Sequence, residues 1–216
     1  MSIIAKGSSE QLDRKVIPEG VHVAKCYAIY DIGTQKKIWK DKVKFVRKVV
    51  LAFEVPEERI LIEKDGEEKD LPMAISSIYT LSIFPKAYLR KDLETWRGKT
   101  FTKEELDGFD LKNITGKSCL IQVVHEPKED GSGVWVNIQA IMSLPKGQKH
   151  EGTENPIVVW SITNEDGTIN DDFSCVPDWI KTKACACIEV LESESKEEEE
   201  VPYGADLKEP EATLPF

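Results

Sequence analysis

Residues 36–48 hold the side chains whose types and spacing most clearly point to a chemistry. This segment, KKIWKDKVKFVRK, carries seven cations against one acid and interleaves them with Trp39 and Phe45. A positive surface that neutralises phosphates, with aromatic rings on which bases stack, is the combination that holds single-stranded nucleic acid. A solvated strand end would have the same composition, so both interpretations stay open on charge alone. The cationic candidates are Lys36, Lys37, Lys40, Lys42, Lys44, Arg47 and Lys48.

The aromatic candidates differ in how well their surroundings suit base stacking. Alternation along a strand predicts Lys42 and Lys44 on one side and Phe45 on the other. Trp39 is the better stacking candidate because it lies among lysines. Tyr79 and Trp135 are further candidates, but a place in the core is an equal alternative for each, because aromatic residues in strands pack by default.

The charge of the chain is unevenly distributed. The formal net charge is −10, yet residues 189–216 hold ten of the acids and only two bases, so the rest of the chain is almost neutral. A basic segment and an acidic tail within one chain indicate nucleic-acid contact together with a tail that has its own role.

No motif for catalysis or for cofactor binding accompanies these charges. The three histidines lie in separate contexts, and the five cysteines lack the paired spacing of a zinc site. The sequence has no glycine-rich phosphate loop and no GxSxG elbow. We therefore expect a protein that is not an enzyme and that takes no metal or cofactor. Because no apolar run reaches the length of a membrane span or a secretory signal, we expect a cytoplasmic location without membrane contact.

The elements that must position the basic segment are mostly strands. Alternating and β-branched patterns predict five strands, with a helix over residues 86–96 between the third and the fourth. This order is that of an OB-fold, a five-stranded β-barrel, and a β-sandwich with helical insertions is the alternative. The predicted strands cover residues 21–32, 43–55, 74–84, 118–125 and 134–143.

Three regions follow from the changes in composition. Residues 1–18 are predicted to form a flexible arm, and residues 19–190 one domain with a C-terminal extension from about residue 150. Residues 191–216 are rich in glutamate and almost without apolar side chains, so we expect a disordered tail. The sequence leaves open whether the extension packs on the domain or mediates self-association.

The chain ends in Leu214, Pro215 and Phe216, an apolar tip behind the acidic stretch. Such a tip with its carboxylate suits a small apolar pocket rimmed by a basic residue. The ending resembles that of bacterial single-stranded DNA-binding proteins, although Ala212 and Thr213 stand where that family usually has acids. The resemblance implies that the tip recruits replication or recombination proteins, and that the acidic stretch competes with DNA for the basic surface.

The body of the chain resembles a different group of proteins. The stretches IPEGVHVAKCYAIYDIGTQ, LPMAISSIYTLSI and LRKDLETWRGKTFTKEELDGFDLKNITGKSCLIQVVH are similar to phage replication-module proteins regarded as OB-fold single-strand binders. The resemblance covers about residues 15–145 and implies sequence-independent binding and protection of single-stranded DNA in the cytoplasm of a phage host, with self-association left open. The alternative is a protein–protein adaptor or recombination mediator without DNA affinity of its own.

Overall fold

The protein is a mainly β structure, as the sequence predicted. The computed structural model describes residues 15–40, 42–64, 66–147 and 152–199, without the side chains of Trp39, Lys64 and residues 195–199. These residues form one sheet of six strands that is not closed, with the order β3-β2-β1-β4-β5 and β6 beside β1. The elements are β1 (Gly20–Trp39), β2 (Lys42–Lys64), β3 (Glu67–Thr80), α1 (Tyr88–Arg97), α2 (Lys103–Asp107), a 3-10 turn (Leu111–Ile114), β4 (Ser118–Pro127), β5 (Val134–Met142), β6 (Val158–Ser161), α3 (Asp178–Cys185) and α4 (Ile188–Glu199).

The helix expected between the third and fourth strands is α1. Leu89, Leu93 and Trp96 are buried at the spacing that the sequence pattern predicted. The indole N–H of Trp96 donates to the Ser118 carbonyl at 2.9 Å, which fixes the helix to the start of β4. Gly98 ends α1 in the left-handed conformation at φ 65°, where glycine has no steric penalty.

Strand β1 has partners along both of its edges. One edge pairs antiparallel with β2, from Lys25 to Trp39. The other edge pairs first with β4, over residues 20–25, and then in parallel with β6, over residues 28–31. Because β6 takes over where β4 leaves, this edge of β1 is covered through residue 31.

The sheet is buried on both faces of its centre. Ile29, Leu51 and Phe53 belong to a core that α1 closes. Tyr30, Ile32 and Val50 belong to a second core, which residues of β6 and α3 such as Trp160 and Ile180 cover. The C-terminal extension therefore packs on the domain, where β6 and α3 cover one face of β1 and β2.

Two predicted strand ends were wrong, because the backbone pairing between strands continues through charged, solvent-exposed residues. The first strand was expected to end near Gly33, but β1 continues to Trp39 across a bulge between Asp31 and Thr34, where Gly33 has φ 70°. The second and third strands were expected to end at residue 55 and to start at residue 74, but β2 and β3 stay paired through Lys64 and Glu67. A bulge absorbs an extra residue without ending a strand.

Both predicted region boundaries need adjustment as well. Ile17, within the expected flexible arm, is 3% exposed and belongs to the first core. Helix α4 continues to Glu199, nine residues into the expected tail, because glutamate extends a helix readily once its first turn is packed. Within the described ranges, no helix has the length and apolar character needed to cross a bilayer.

Glu54 joins the C-terminal extension to β2. Its side chain is fully buried, and the carboxylate accepts hydrogen bonds from the backbone N–H of Glu154 at 3.1 Å and of Asn155 at 2.9 Å. The Asn155 side-chain amide donates a third bond, and Lys25 Nζ lies 4.0 Å away. A buried carboxylate with these partners ties residues 154–155 to the sheet, because a charge inside the fold is costly unless its hydrogen bonds are made.

Replacing Glu54 should test this connection. Glu54→Ala removes the carboxylate that joins Asn155 and Lys25 and leaves a cavity in its buried place, so we expect the free energy of unfolding to fall by about 3 kcal/mol in urea denaturation. The matched control is Glu63→Ala, an exposed position on the same strand, with an expected change within about 0.5 kcal/mol. Equal effects of the two substitutions would contradict this role for Glu54.

Candidate nucleic-acid interface

The basic segment forms a hairpin that extends past the rest of the sheet. The last pair between β2 and β3 joins Lys48 to Thr80, and the pairing of β6 with β1 stops at Asp31. From Thr34 to Arg47 the chain is therefore a two-stranded ribbon of β1 and β2 alone. We refer to residues 34–47 as the basic hairpin.

The register gives this hairpin two chemically different faces, because directly opposed residues lie on the same side of an antiparallel pair. Lys37 is opposite Lys44, and Trp39 is opposite Lys42. We call these four positions the lysine face; Trp39 is placed there by its backbone pairing alone. Strand alternation puts the pairs Lys36–Phe45 and Ile38–Val43 on the other side, which we call the apolar face.

Five of the seven predicted cations are exposed in this hairpin. Phe45 and Ile38 on the apolar face are also exposed, at 59% and 66%. Both faces are therefore open to solvent, and the ribbon presents its charges without a covering element in the described part of the chain. The exposed cations are Lys36, Lys37, Lys40, Lys42 and Lys44.

Arg47, a sixth predicted cation, is an anchor for the hairpin. Its guanidinium donates to Asp31 on β1 at 2.7 Å and to the Thr163 hydroxyl at 2.9 Å. Hydrogen bonding to Asp31 raises the pKa of Arg47, and the Glu189 carboxylate lies 3.9 Å away. This cation is neutralised within the fold, so it contributes little to an external anion.

Glu189, at the start of α4, clamps the base of the hairpin. It accepts from the Thr34 N–H at 2.8 Å and from the Thr34 hydroxyl at 2.7 Å. A side chain at Gly33 would lie about 2.8 Å from Cys187 Sγ, so only glycine permits this close approach. Burial opposes the charged form of Glu189, but the bonds from Thr34 outweigh it and lower the pKa of Glu189.

Lys48, the last of the predicted cations, lies at the base of the hairpin. Its ammonium donates to the Thr80 hydroxyl at 3.0 Å. Burial, and then repulsion by Lys37, lower the pKa of Lys48. The influence of one lysine on the other shows that positive charge is concentrated on this part of the surface.

Tyr79 lies in the core, the alternative that the sequence left open. The side chain is 7% exposed, and the hydroxyl donates to Asp92 at 2.8 Å. Burial, and then the Asp92 charge, raise the pKa of the Tyr79 hydroxyl. With its ring packed inside, Tyr79 offers no face to a base.

Trp135 is exposed, at 60%, but lies at the other end of the sheet. It lines a groove of about 950 Å³ beside the β4–β5 turn, and Lys128 Nζ lies 4.7 Å from its ring centre. It pairs with Glu126, beyond the end of β1 that starts at Gly20, whereas the basic hairpin is at the opposite end of β1. The structure therefore does not bring Trp135 and the lysines together.

Two aromatic residues that the sequence reasoning missed follow β3, one in the loop after the strand and one at the first position of α1. Phe84 and Tyr88 are 79% and 80% exposed. The loop leaves the sheet at the hairpin base, where the Leu81 N–H donates to the Arg47 carbonyl at 2.9 Å. The predicted strand over residues 74–84 included Phe84, and the predicted helix over residues 86–96 included Tyr88, so neither was considered as an exposed ring. The available signal was Pro85, which marks the end of the strand pattern next to Phe84.

The apolar tip, Leu214, Pro215 and Phe216, falls outside the described residues. What the structure does give is the origin of the acidic segment. Helix α4 begins beside Gly33 and Thr34, and Glu189 contacts both. The chain that leads into the tail thus starts at the base of the basic hairpin.

Comparison with known proteins adds no relative to this description. No protein-family model matches the chain, and no curated protein matches it.

The clamp at Glu189 should depend on pH. Glu189→Gln removes the charge that accepts from Thr34, and we expect hydrogen exchange at the Thr34 amide to speed up about tenfold at neutral pH. Because the pKa of Glu189 is below its ordinary value of 4.5, its contribution to stability is complete above that value and is lost as the pH falls through the folded-state pKa. Urea denaturation over an acid pH series should show the two proteins converging. A stability difference that stays constant into acid would contradict the clamp.

Proposed function

We propose that this protein binds single-stranded DNA without sequence preference and that it works as a binding protein, not an enzyme. The observation that carries the proposal is the lysine face, which displays Lys37, Lys42 and Lys44 around the position of Trp39 on an exposed ribbon. Phosphates would be neutralised by the lysines, and the released counterions make such binding steeply dependent on salt.

Aromatic side chains near the lysines would supply the second part of the binding energy. The backbone of Trp39 pairs with Lys42 of the lysine face, the exposed Phe84 lies in the loop after β3, and the exposed Tyr88 begins α1. Stacking of a base on an aromatic ring contributes about 1–3 kcal/mol and tolerates any base. A DNA strand held by phosphate contacts and base stacking is bound without recognition of its sequence.

We infer that the sheet follows an OB-type plan. Strand β1 pairs with both β2 and β4, α1 lies between β3 and β4 in the chain, and residues of the outer strands β3 and β5 approach within 8 Å. OB-type barrels bind oligonucleotides along strands and loops of this kind. The two outer strands are not hydrogen-bonded, so the barrel would be an open one.

The tail gives the proposal its biological setting. By resemblance to phage replication proteins and to bacterial single-stranded DNA-binding proteins, the chain would act in phage DNA replication or recombination in the host cytoplasm. The tip of Leu214, Pro215 and Phe216 would recruit replication or recombination proteins. The acidic residues before it would compete with DNA for the lysine face, and the start of α4 at Thr34 keeps them at high local concentration.

Charge reversal on the lysine face tests DNA binding directly. The double variant Lys42→Glu/Lys44→Glu should bind labelled oligo-dT at least tenfold more weakly in a fluorescence anisotropy titration, because two phosphate contacts are lost. The salt dependence should also become shallower, with a logarithmic slope smaller by about 1.4. Lys103→Glu/Lys117→Glu is the matched control, since it has the same charge change at exposed positions off the hairpin.

The same titration separates the proposal from its rival. Binding of the wild-type protein to oligo-dT in preference to matched duplex supports strand binding. If neither is bound at low salt, the protein is the adaptor or recombination mediator, whose basic hairpin meets another protein.

Removing the tail tests its competition with DNA. A chain truncated after Glu199 keeps α4 and the Glu189 clamp, and we expect it to bind oligo-dT several-fold more tightly at low salt. The gain should shrink at high salt, because the competing charges are then screened. Unchanged or weaker binding by the truncated chain would remove the tail from the mechanism.

A further inference from the structure

A second hairpin, at the other end of β2, has the opposite charge. Residues 57–70 contain seven acids and three bases, and β2 and β3 pair through this region. We call it the acidic hairpin. Leu61 is opposite Asp70, and Glu63 is opposite Glu68, so these four positions share one face, which we call the acidic face. Leu61 is 67% exposed on this face. The Arg59 guanidinium lies 3.1 Å from the Asp70 carboxylate, so Glu63 and Glu68 supply the negative charge of the face.

The acidic face points away from the body of the protein. The alternate residues Ile60 and Ile62 line the groove beside Trp135, together with Leu71. Because successive side chains of a strand point to opposite sides, Leu61 and Glu63 face outward. An exposed leucine beside two carboxylates is a surface that suits a partner with an apolar centre and an adjacent cation.

The apolar face of the basic hairpin has that chemistry. It presents Ile38, Val43 and Phe45, exposed at 66%, 48% and 59%, beside the exposed Lys36. We propose that the apolar face of one copy of this chain docks on the acidic face of a second copy. Apolar side chains would bury one another at the centre, and Lys36 would meet Glu63 and Glu68 around it.

The contact must form between two copies and not within one. Both hairpins are built on β2, which runs 23 residues from Lys42 to Lys64, and this corresponds to a contour of about 75 Å. One hairpin lies at each end, and the middle of the strand is held in the two cores by residues such as Leu51 and Val50. A strand fixed in this way cannot fold back to join its own ends.

Charge and geometry favour a second copy over DNA as the occupant of the apolar face. Phosphates gain nothing from isoleucine, valine and phenylalanine, whereas an apolar contact covers them. An isolated two-stranded ribbon is marginally stable in water, so burial of one face would also stabilise the hairpin. The lysine face stays free in this arrangement. If the proposed function holds, copies that lie side by side on one strand would bind it cooperatively.

Complementary charge reversal tests the contact without DNA. Sedimentation velocity at low salt over the micromolar range should show the wild-type full-length chain associating as its concentration rises. Lys36→Glu alone should weaken association about tenfold or more, because a carboxylate at this position would repel the acidic face, and Glu68→Lys alone should do the same by repelling Lys36. An equimolar mixture of the two variants should associate again, since each then offers the face that the other lacks. Lys103→Glu is the control with an unrelated charge change.

The mixture also guards against a folding defect, because a misfolded variant would not be rescued. A wild-type chain that stays monomeric across the range would overturn the proposal. So would a mixture that associates no better than either variant alone. The sedimentation experiments contain no nucleic acid, so they are independent of the oligo-dT titration. If the protein did not bind DNA, the test of self-association would still be valid.

Discussion

Burial of β1 on both faces and along both edges is the constraint on which the rest of the molecule depends. Ile29 points into the core that α1 closes, while Tyr30 and Ile32 point into the core under β6 and α3. A strand in the centre of a sheet with apolar neighbours on both faces cannot slip in register without exposing one set of side chains. The hairpin that continues from it is therefore held at a fixed place. The bulge at Gly33 and the bonds around Arg47 and Glu189 then set where the ribbon leaves the fold.

Much of the fold was predictable because its signals are local. The face of α1 that carries Leu89, Leu93 and Trp96 follows from helical spacing. The hydrogen bonds between Thr102 and Glu105 at the start of α2 are those of a capping box, which also depends only on residues three positions apart. The ends of the long strands were not predictable in the same way. The charged residues at these ends are stabilised by pairing with a neighbouring strand and by solvent. A prediction based on the alternation of apolar residues does not detect such strands. Nothing in the local sequence indicates that β6 pairs in parallel with β1, because such pairing depends on residues about 130 positions apart.

In the candidate interface too, the features set by local sequence were predictable and those set by distant contacts were not. Exposure of Lys37, Lys42 and Lys44 was expected from their density, since so many cations cannot be buried together. Arg47 was counted with them, but its partners Asp31 and Glu189 come from distant parts of the chain. Tyr79 is buried and Trp135 is exposed, although both lie on strands. Their position on a strand could not distinguish a packed ring from an exposed one, so the tertiary structure was needed.

The second core has a consequence for how the chain is made. Its strand residues, such as Tyr30 and Val50, are synthesised early, whereas Trp160 and Ile180, which cover them, follow more than 100 residues later. Loop-closure entropy must be paid before such distant contacts form, so this part of the fold has a high contact order. A nascent chain that has completed β5 presents an uncovered apolar surface on β1 and β2 until α3 has left the ribosome. Such transient surfaces are where chaperones bind and where incomplete chains aggregate. The apolar surface on β1 and β2 thus waits for its cover until α3, which ends at residue 185 of 216, has been made.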